Sequence, residues 1–158
     1  MVYGNTTMEN LDYNIRGWLT SKESVLFKME LCCDNPQAGT SACYHGNISE
    51  WQWQQGMDAV QIHSFTCDNV NRLKESTHKK KSGSFWLTNA NHYLEKGLMY
   101  DLNGNIQTLQ RIGNGTFVDN VAYSYTGNQL IALQEISLIS ERNMLNSGIP
   151  TGNTTASL

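Results

Sequence analysis

The chain has 158 residues, the size of one ordinary domain, and carries 11 basic against 14 acidic side chains for a formal charge of -3. That balance gives no support for a nucleic-acid binder, which needs a basic stripe to neutralise phosphates, and no apolar run approaches the roughly 20 residues of a membrane-spanning helix. Only 16% of residues are charged and 39% hydrophobic, with Gly, Asn, Ser and Thr plentiful, so the composition argues against a long helical bundle and for a turn-rich β protein.

Taken in chain order, residues 1–10 form an N-terminal extension, and Met1 to Thr20 has no basic start followed by an apolar stretch, so no signal peptide is visible. A short phrase then recurs: an aromatic, a turn rich in Asn and Gly, and a closing Leu or Ile. It runs as Tyr13-Asn14-Ile15-Arg16-Gly17-Trp18-Leu19, then Tyr44-His45-Gly46-Asn47-Ile48, then Phe65-Thr66-Cys67-Asp68-Asn69-Val70-Asn71-Arg72-Leu73. The fourth copy is Tyr100-Asp101-Leu102-Asn103-Gly104-Asn105-Ile106 and the fifth Tyr123-Ser124-Tyr125-Thr126-Gly127-Asn128-Gln129-Leu130. The closing aliphatics recur every 24 to 33 residues or so, which suits one β-hairpin per unit.

Period-2 alternation supplies the strands between these turns. Trp51 and Trp53 share one face of a strand, with Gln52 and Gln54 opposite. His63, Phe65 and Cys67 alternate with Ile62, Ser64 and Thr66, and Val121, Tyr123 and Tyr125 with Ala122, Ser124 and Thr126. Leu130 to Ile136 restarts an apolar strand after the Gly127-Asn128 turn. Asn103-Gly104 is a strong signal for a type I′ turn, and Gly113-Asn114-Gly115-Thr116 reads as a hairpin loop. The run Lys79-Lys80-Lys81 beside Ser82-Gly83 reads as a solvated loop. Residues 74–99 show no clear repeat and read as an irregular insertion with one strand around Phe85-Trp86-Leu87. The polar tail 143–158 reads as flexible.

These phrases resemble the YD repeat of RHS-family proteins. Tyr100-Asp101-Leu102-Asn103-Gly104-Asn105-Ile106 and Tyr123-x-Tyr125-x-Gly127-Asn128-Gln129-Leu130 carry the likeness, and the other three are similar to variants in Bacteroides-type RHS repeats. Only Tyr100-Asp101 keeps the Tyr-Asp pair intact. The resemblance implies an all-β array of hairpins forming a twisted, spiralling antiparallel sheet, here a fragment of a longer shell, with repeats over residues 11–142. It implies a non-catalytic wall segment of a secreted or cell-surface protein, which can enclose a C-terminal toxin or support contact-dependent interaction. Its partners are then neighbouring repeats of a longer chain, and open strand edges make self-association of the isolated chain the expectation. Under it, Tyr13, Gly17, Tyr44, Gly46, Asn47, Phe65, Asp68, Tyr100, Asp101, Gly104, Asn105, Tyr123, Tyr125, Gly127 and Asn128 are structural, building turns and the packing between hairpins.

No residue pattern asks for a cofactor. His45, His63, His78 and His92 are scattered outside any HExxH or GxSxG context, so no catalytic residue is assigned. Cys32, Cys43 and His45 lack a CxxC pair or a His-x3-His to complete a zinc site, so no metal is assigned either. The alternative function is carbohydrate binding, with Trp51 and Trp53 as a stacking platform for a glycan, against the plainer reading that they fill space between hairpins. Overlaying Phe65-Thr66-Cys67 on Tyr123-Ser124-Tyr125 seats Cys67 where Tyr125 stands, so that hairpin is expected to be underpacked.

Overall fold

Alternating strands punctuated by turn formers leave the chain no continuous helical face, and among the described residues there is no helix. The computed structural model describes residues 8–88, 92–136 and 155–157. The chain divides into two compact units, Met1–Ala90 and Asn91–Leu158. Both are antiparallel sheets built by hairpins in sequence order, so the protein is an all-β hairpin array.

The first unit holds β1 (Asn10–Tyr13), β2 (Leu19–Glu23), β3 (Phe27–Cys32), β4 (Glu50–Gln55), β5 (Gln61–Cys67) and β6 (Leu73–Ser82), each paired with the next. A short β7 (Phe85–Thr88) turns back at Gly83 and pairs with the far end of β6. The second unit holds β8 (Leu94–Tyr100), β9 (Ile106–Gly113), β10 (Thr116–Thr126), β11 (Gln129–Glu135) and β12 (Thr155–Ser157), again in sequence order.

Three of the five recurring phrases fold into one and the same turn. In each, the residue after the aromatic position turns its side-chain oxygen back on the loop. Asn14 Oδ1 accepts from the N–H of Arg16 and Trp18 at 2.9 and 3.0 Å, Asp68 Oδ1 from Val70 and Arg72 at 3.0 and 2.9 Å, and Asp101 Oδ1 from Asn103 and Asn105 at 2.9 and 2.8 Å. Two backbone bonds close each loop: Gly17, Asn71 and Gly104 donate to the carbonyls of Asn14, Asp68 and Asp101, and each of those three residues donates to the carbonyl four positions on. The fourth loop residue takes positive φ every time, +75° at Gly17, +67° at Asn71 and +88° at Gly104. The register closes identically as well, with Tyr13 opposite Leu19, Cys67 opposite Leu73 and Tyr100 opposite Ile106, one residue after a ladder irregularity.

Four expectations are corrected. Asn103-Gly104 belongs to this five-residue loop, and positive φ at both central residues, the type I′ pattern, falls instead on Asn114 and Gly115 at +50° and +80°. Tyr44, Gly46 and Asn47 do not form a tight hairpin turn. They lie in a long β3–β4 connection, residues 33–49, that folds back over the sheet. Lys79-Lys80-Lys81 is strand, because β6 runs through it to pair with both β5 and β7. Residues 74–99 are accordingly not an irregular insertion: most are strand, including the expected Phe85-Trp86-Leu87. The tail falls mostly outside the described residues, but Thr155–Ser157 pairs with β11 at Leu133 and its neighbours.

The core of the first unit sits beneath the 33–49 flap. Paired residues share a sheet face, so Cys32, Glu50, Ser64 and Thr77 line one face and Leu31, Trp51, His63 and His78 the other. On the first face Glu50 and Ile62 are fully buried, and Ser49, just before β4, is fully buried as well. Glu50 accepts the backbone N–H groups of Gln37 and Ala38, Lys79 Nζ donates to the Ala38 carbonyl at 2.6 Å, and Trp86 Nε1 to the Gln37 carbonyl at 3.2 Å. In the second unit Ile112, Asn120 and Val121 are buried between β9 and β10.

A left-handed backbone costs an L-residue about 1–2 kcal/mol that glycine avoids. Gly104→Ala should therefore destabilise the chain by about 1–2 kcal/mol in urea melts, whereas Asn71→Gly should leave stability unchanged or raise it.

Candidate functional site

The recurring turns share an edge within each unit, because hairpins in sequence order put every second connection on the same side. The 14–18 loop, the flap and the 68–72 loop lie along one edge of the first unit. The 101–105 loop and the Gly127-Asn128 turn do so in the second. Neighbouring turns are tied sideways. Asn47 Nδ2 donates to the Asn71 carbonyl at 2.9 Å. Asn105 Nδ2 donates to the Gly127 carbonyl at 3.3 Å and to Asn128 Oδ1 at 3.2 Å. In both cases the Asn of a Gly-Asn pair reaches the positive-φ residue of the following turn (Gly127 at +59°). Gly46, at φ +94°, lies so close to the Trp18 indole that a Cβ there would stand 2.7 Å from Trp18 Cη2.

The capping carboxylates respond to this setting. Asp68 is held below the usual carboxylate range, first by the Arg72 backbone N–H and then by the Arg72 guanidinium, whose Nε lies 2.7 Å from Oδ2. Asp101 is lowered chiefly by the Asn105 side-chain amide, 2.8 Å from Oδ2.

The aromatic positions divide by place. Tyr13 and Tyr44 are exposed, while Phe65, Tyr100, Tyr123 and Tyr125 are half-buried on their strands. Tyr125 donates its hydroxyl to the Ile106 carbonyl at 2.9 Å, and burial raises its pKa, with Tyr123 and Asp101 adding to the effect. It stands opposite Leu130 as Cys67 stands opposite Leu73, each one residue past a ladder irregularity, but Tyr125 leads into the two-residue Gly127-Asn128 turn and Cys67 into the capped five-residue loop. A cavity of about 260 Å³ opens beside Cys67, walled by Phe65, Asp68, Asn71, Cys43 and Tyr44 among others.

Trp51 and Trp53 belong to a continuous row of rings on the sheet face opposite Glu50 and Ile62. Their centroids are 4.7 Å apart at 30°, and His63 stacks against both at 6.2 and 5.4 Å. Phe65 and His78 extend the row from His63 at 6.2 and 5.3 Å. Alternation in β4 and β5 announced two parts of this row, but His78 was missed because the lysine run beside it read as loop. Burial, and then the neighbouring His78, push the His63 pKa down to about 4. His63 Nδ1 lies 2.9 Å from Ser76 Oγ and His78 Nε2 lies 3.0 Å from Gln61 Oε1. A serine beside a histidine is the beginning of a nucleophilic pair. Here, however, Ser76 is 3% exposed and His63 is a weak base at neutral pH, so the contact positions two strands.

Sequence reasoning also missed Glu50, the buried carboxylate that pins the flap; nothing in the local pattern Ser49-Glu50-Trp51 marks it. Among the described residues no group of three or more His, Cys, Asp or Glu side chains is placed to hold a metal ion. No described helix is long and apolar enough to cross a membrane. No protein-family model matches the chain, and no curated protein matches it either.

His63 is neutral in the folded state down to about pH 4, whereas its unfolded pKa is near 6.5. The unfolded chain therefore takes up the proton first, and stability present above pH 6.5 is lost as pH falls toward 4. Allowing for the ring's part exposure, the loss should be about 1–2 kcal/mol, and His63→Gln should flatten that stretch of the stability–pH profile. Filling the cavity is a separate test. Cys67→Tyr should raise the thermal midpoint and Tyr125→Cys lower it, while a fall in the first variant would mean that neighbours had closed on the thiol.

Proposed function

We propose that the chain is a non-catalytic structural repeat segment of an RHS-type secreted or cell-surface protein. The observation that carries this reading is the identity of the three capped turns, in hydrogen bonds, positive-φ position and strand register alike. A chain that repeats one turn in this way is built to propagate a sheet, and one lateral amide in each unit, from Asn47 or Asn105, ties neighbouring connections together. Such a wall would continue into neighbouring repeats and could surround a toxin or support contact between cells.

Glycan binding by Trp51 and Trp53 is the second reading. A sugar platform needs an open ring face. Each of these half-buried indoles stacks on the other and on His63, which favours packing over ligand.

Edge pairing supplies the test. β1 has every residue exposed, with Leu11 and Tyr13 at 47% and 58%. The purified chain should self-associate at micromolar concentrations, and the double variant Leu11→Lys, Tyr13→Lys should reduce that. A clean monomer by light scattering would count against the wall. Saturable quenching of tryptophan fluorescence on a glycan panel, lost in Trp51→Ala, would move the reading to carbohydrate binding.

A further inference from the structure

The 33–49 flap carries a feature that the wall does not need. Four cysteines are present, all as free thiols, and two of them, Cys43 and Cys67, lie where the flap meets the β5–β6 hairpin. The Cys43 N–H donates to the Cys33 carbonyl at 2.6 Å, which sets Cys43 at the base of the flap. From there the chain runs alongside the end of β5. The Phe65 N–H donates to the Ser49 carbonyl at 2.8 Å, and Asn47 Nδ2 donates both to the Asn71 carbonyl and to Cys67 Sγ, the latter at 3.7 Å. Cys43 and Cys67 consequently wall the same cavity of about 260 Å³, and both are only partly covered. Cys33 lies on a different cavity, shared with Cys32 and Cys43.

We propose that Cys43 and Cys67 are a thiol pair that closes into a disulfide, latching the flap onto the β5–β6 hairpin. The step is thiol–disulfide exchange with a small-molecule disulfide RS–SR as oxidant. The Cys43 thiolate attacks RS–SR, forming a Cys43–SR mixed disulfide and releasing RS⁻. The Cys67 thiolate then attacks the Cys43 sulfur, forming the Cys43–Cys67 bond and releasing the second RS⁻. The two protein thiols give up two protons and two electrons, and the small disulfide becomes two thiols. Burial, and then the neighbouring thiols of Cys67 and Cys33, raise the Cys43 pKa, so exchange should quicken from pH 7 to pH 9 as the thiolate fraction grows. The latch stands apart from the wall reading, since it needs only the flap and one hairpin.

The experiment uses the full chain, incubated with oxidised glutathione, followed by alkylation and a non-reducing peptide map. Free thiols should fall from four to two, with one intramolecular link joining Cys43 to Cys67. The oxidised chain should also melt several degrees above the reduced one, because a link across that loop restricts the unfolded state. Cys33→Ser should leave the link intact, and Cys43→Ser or Cys67→Ser should abolish it. If either of those variants fails to fold, the peptide map of the unaltered chain decides alone. A Cys33–Cys43 link, a pair involving Cys32, a chain-to-chain disulfide, a stable mixed disulfide or four unreacted thiols would each overturn the proposal.

Discussion

Each repeat turn hangs on one side-chain oxygen. A five-residue loop with its fourth residue at positive φ points the N–H groups of its third and fifth residues inward, where neither can join the sheet ladder. A backbone donor left without an acceptor is costly, and here Asn14, Asp68 or Asp101 accepts both. Only the Oδ1 position is required, so amide and carboxylate are equivalent in this role. That equivalence explains why Tyr13-Asn14, Cys67-Asp68 and Tyr100-Asp101 all build the same turn.

The turn determines the register, and the register determines the faces. A slip of one residue would carry every side chain to the opposite side of the sheet. With Cys67 held opposite Leu73, the pairing of β5 and β6 brings His63 opposite His78, and the pairing of β4 and β5 brings Trp51 opposite His63. The ring row thus follows from turn geometry two strands away. On the other face a lone sheet would have nothing to bury itself against. The flap supplies that second layer in the first unit, and a carboxylate serves there because the flap offers two N–H groups at residues 37 and 38. Ile62 is sealed beneath it.

Backbone ladders join each hairpin to the next, and lateral bonds between turns add a second tie along the edge. Asn47 and Asn105 both follow a glycine and both bond to the positive-φ residue of the next turn, one in each unit. A residue with φ > 0 turns its carbonyl outward from the ladder, so it is available to a neighbour. The Gly-Asn pair therefore does two things: the glycine permits the turn, or in Gly46 the close approach of Trp18, and the asparagine joins it to the following one.

The sequence alone determined the class and the repeat, since both rest on local chemistry. Period-2 alternation in Ile62–Cys67 and Val121–Thr126 marks strands, and Asn, Asp and Gly at fixed offsets mark turns, because side-chain capping and backbone handedness act within five residues. Only the tertiary structure decided the fate of Tyr44-His45-Gly46-Asn47-Ile48, which has a turn's composition but serves a flap whose anchors, Glu50, Lys79 and Trp86, come from three other strands. Lys79-Lys80-Lys81 reads as loop by charge and becomes strand because β5 and β7 supply ladder partners on either side. The placing of Cys43 and Cys67 around one cavity, and of His63 opposite His78, is likewise tertiary. Contacts between residues far apart in the chain depend on register and layer, and no short window of residues encodes either.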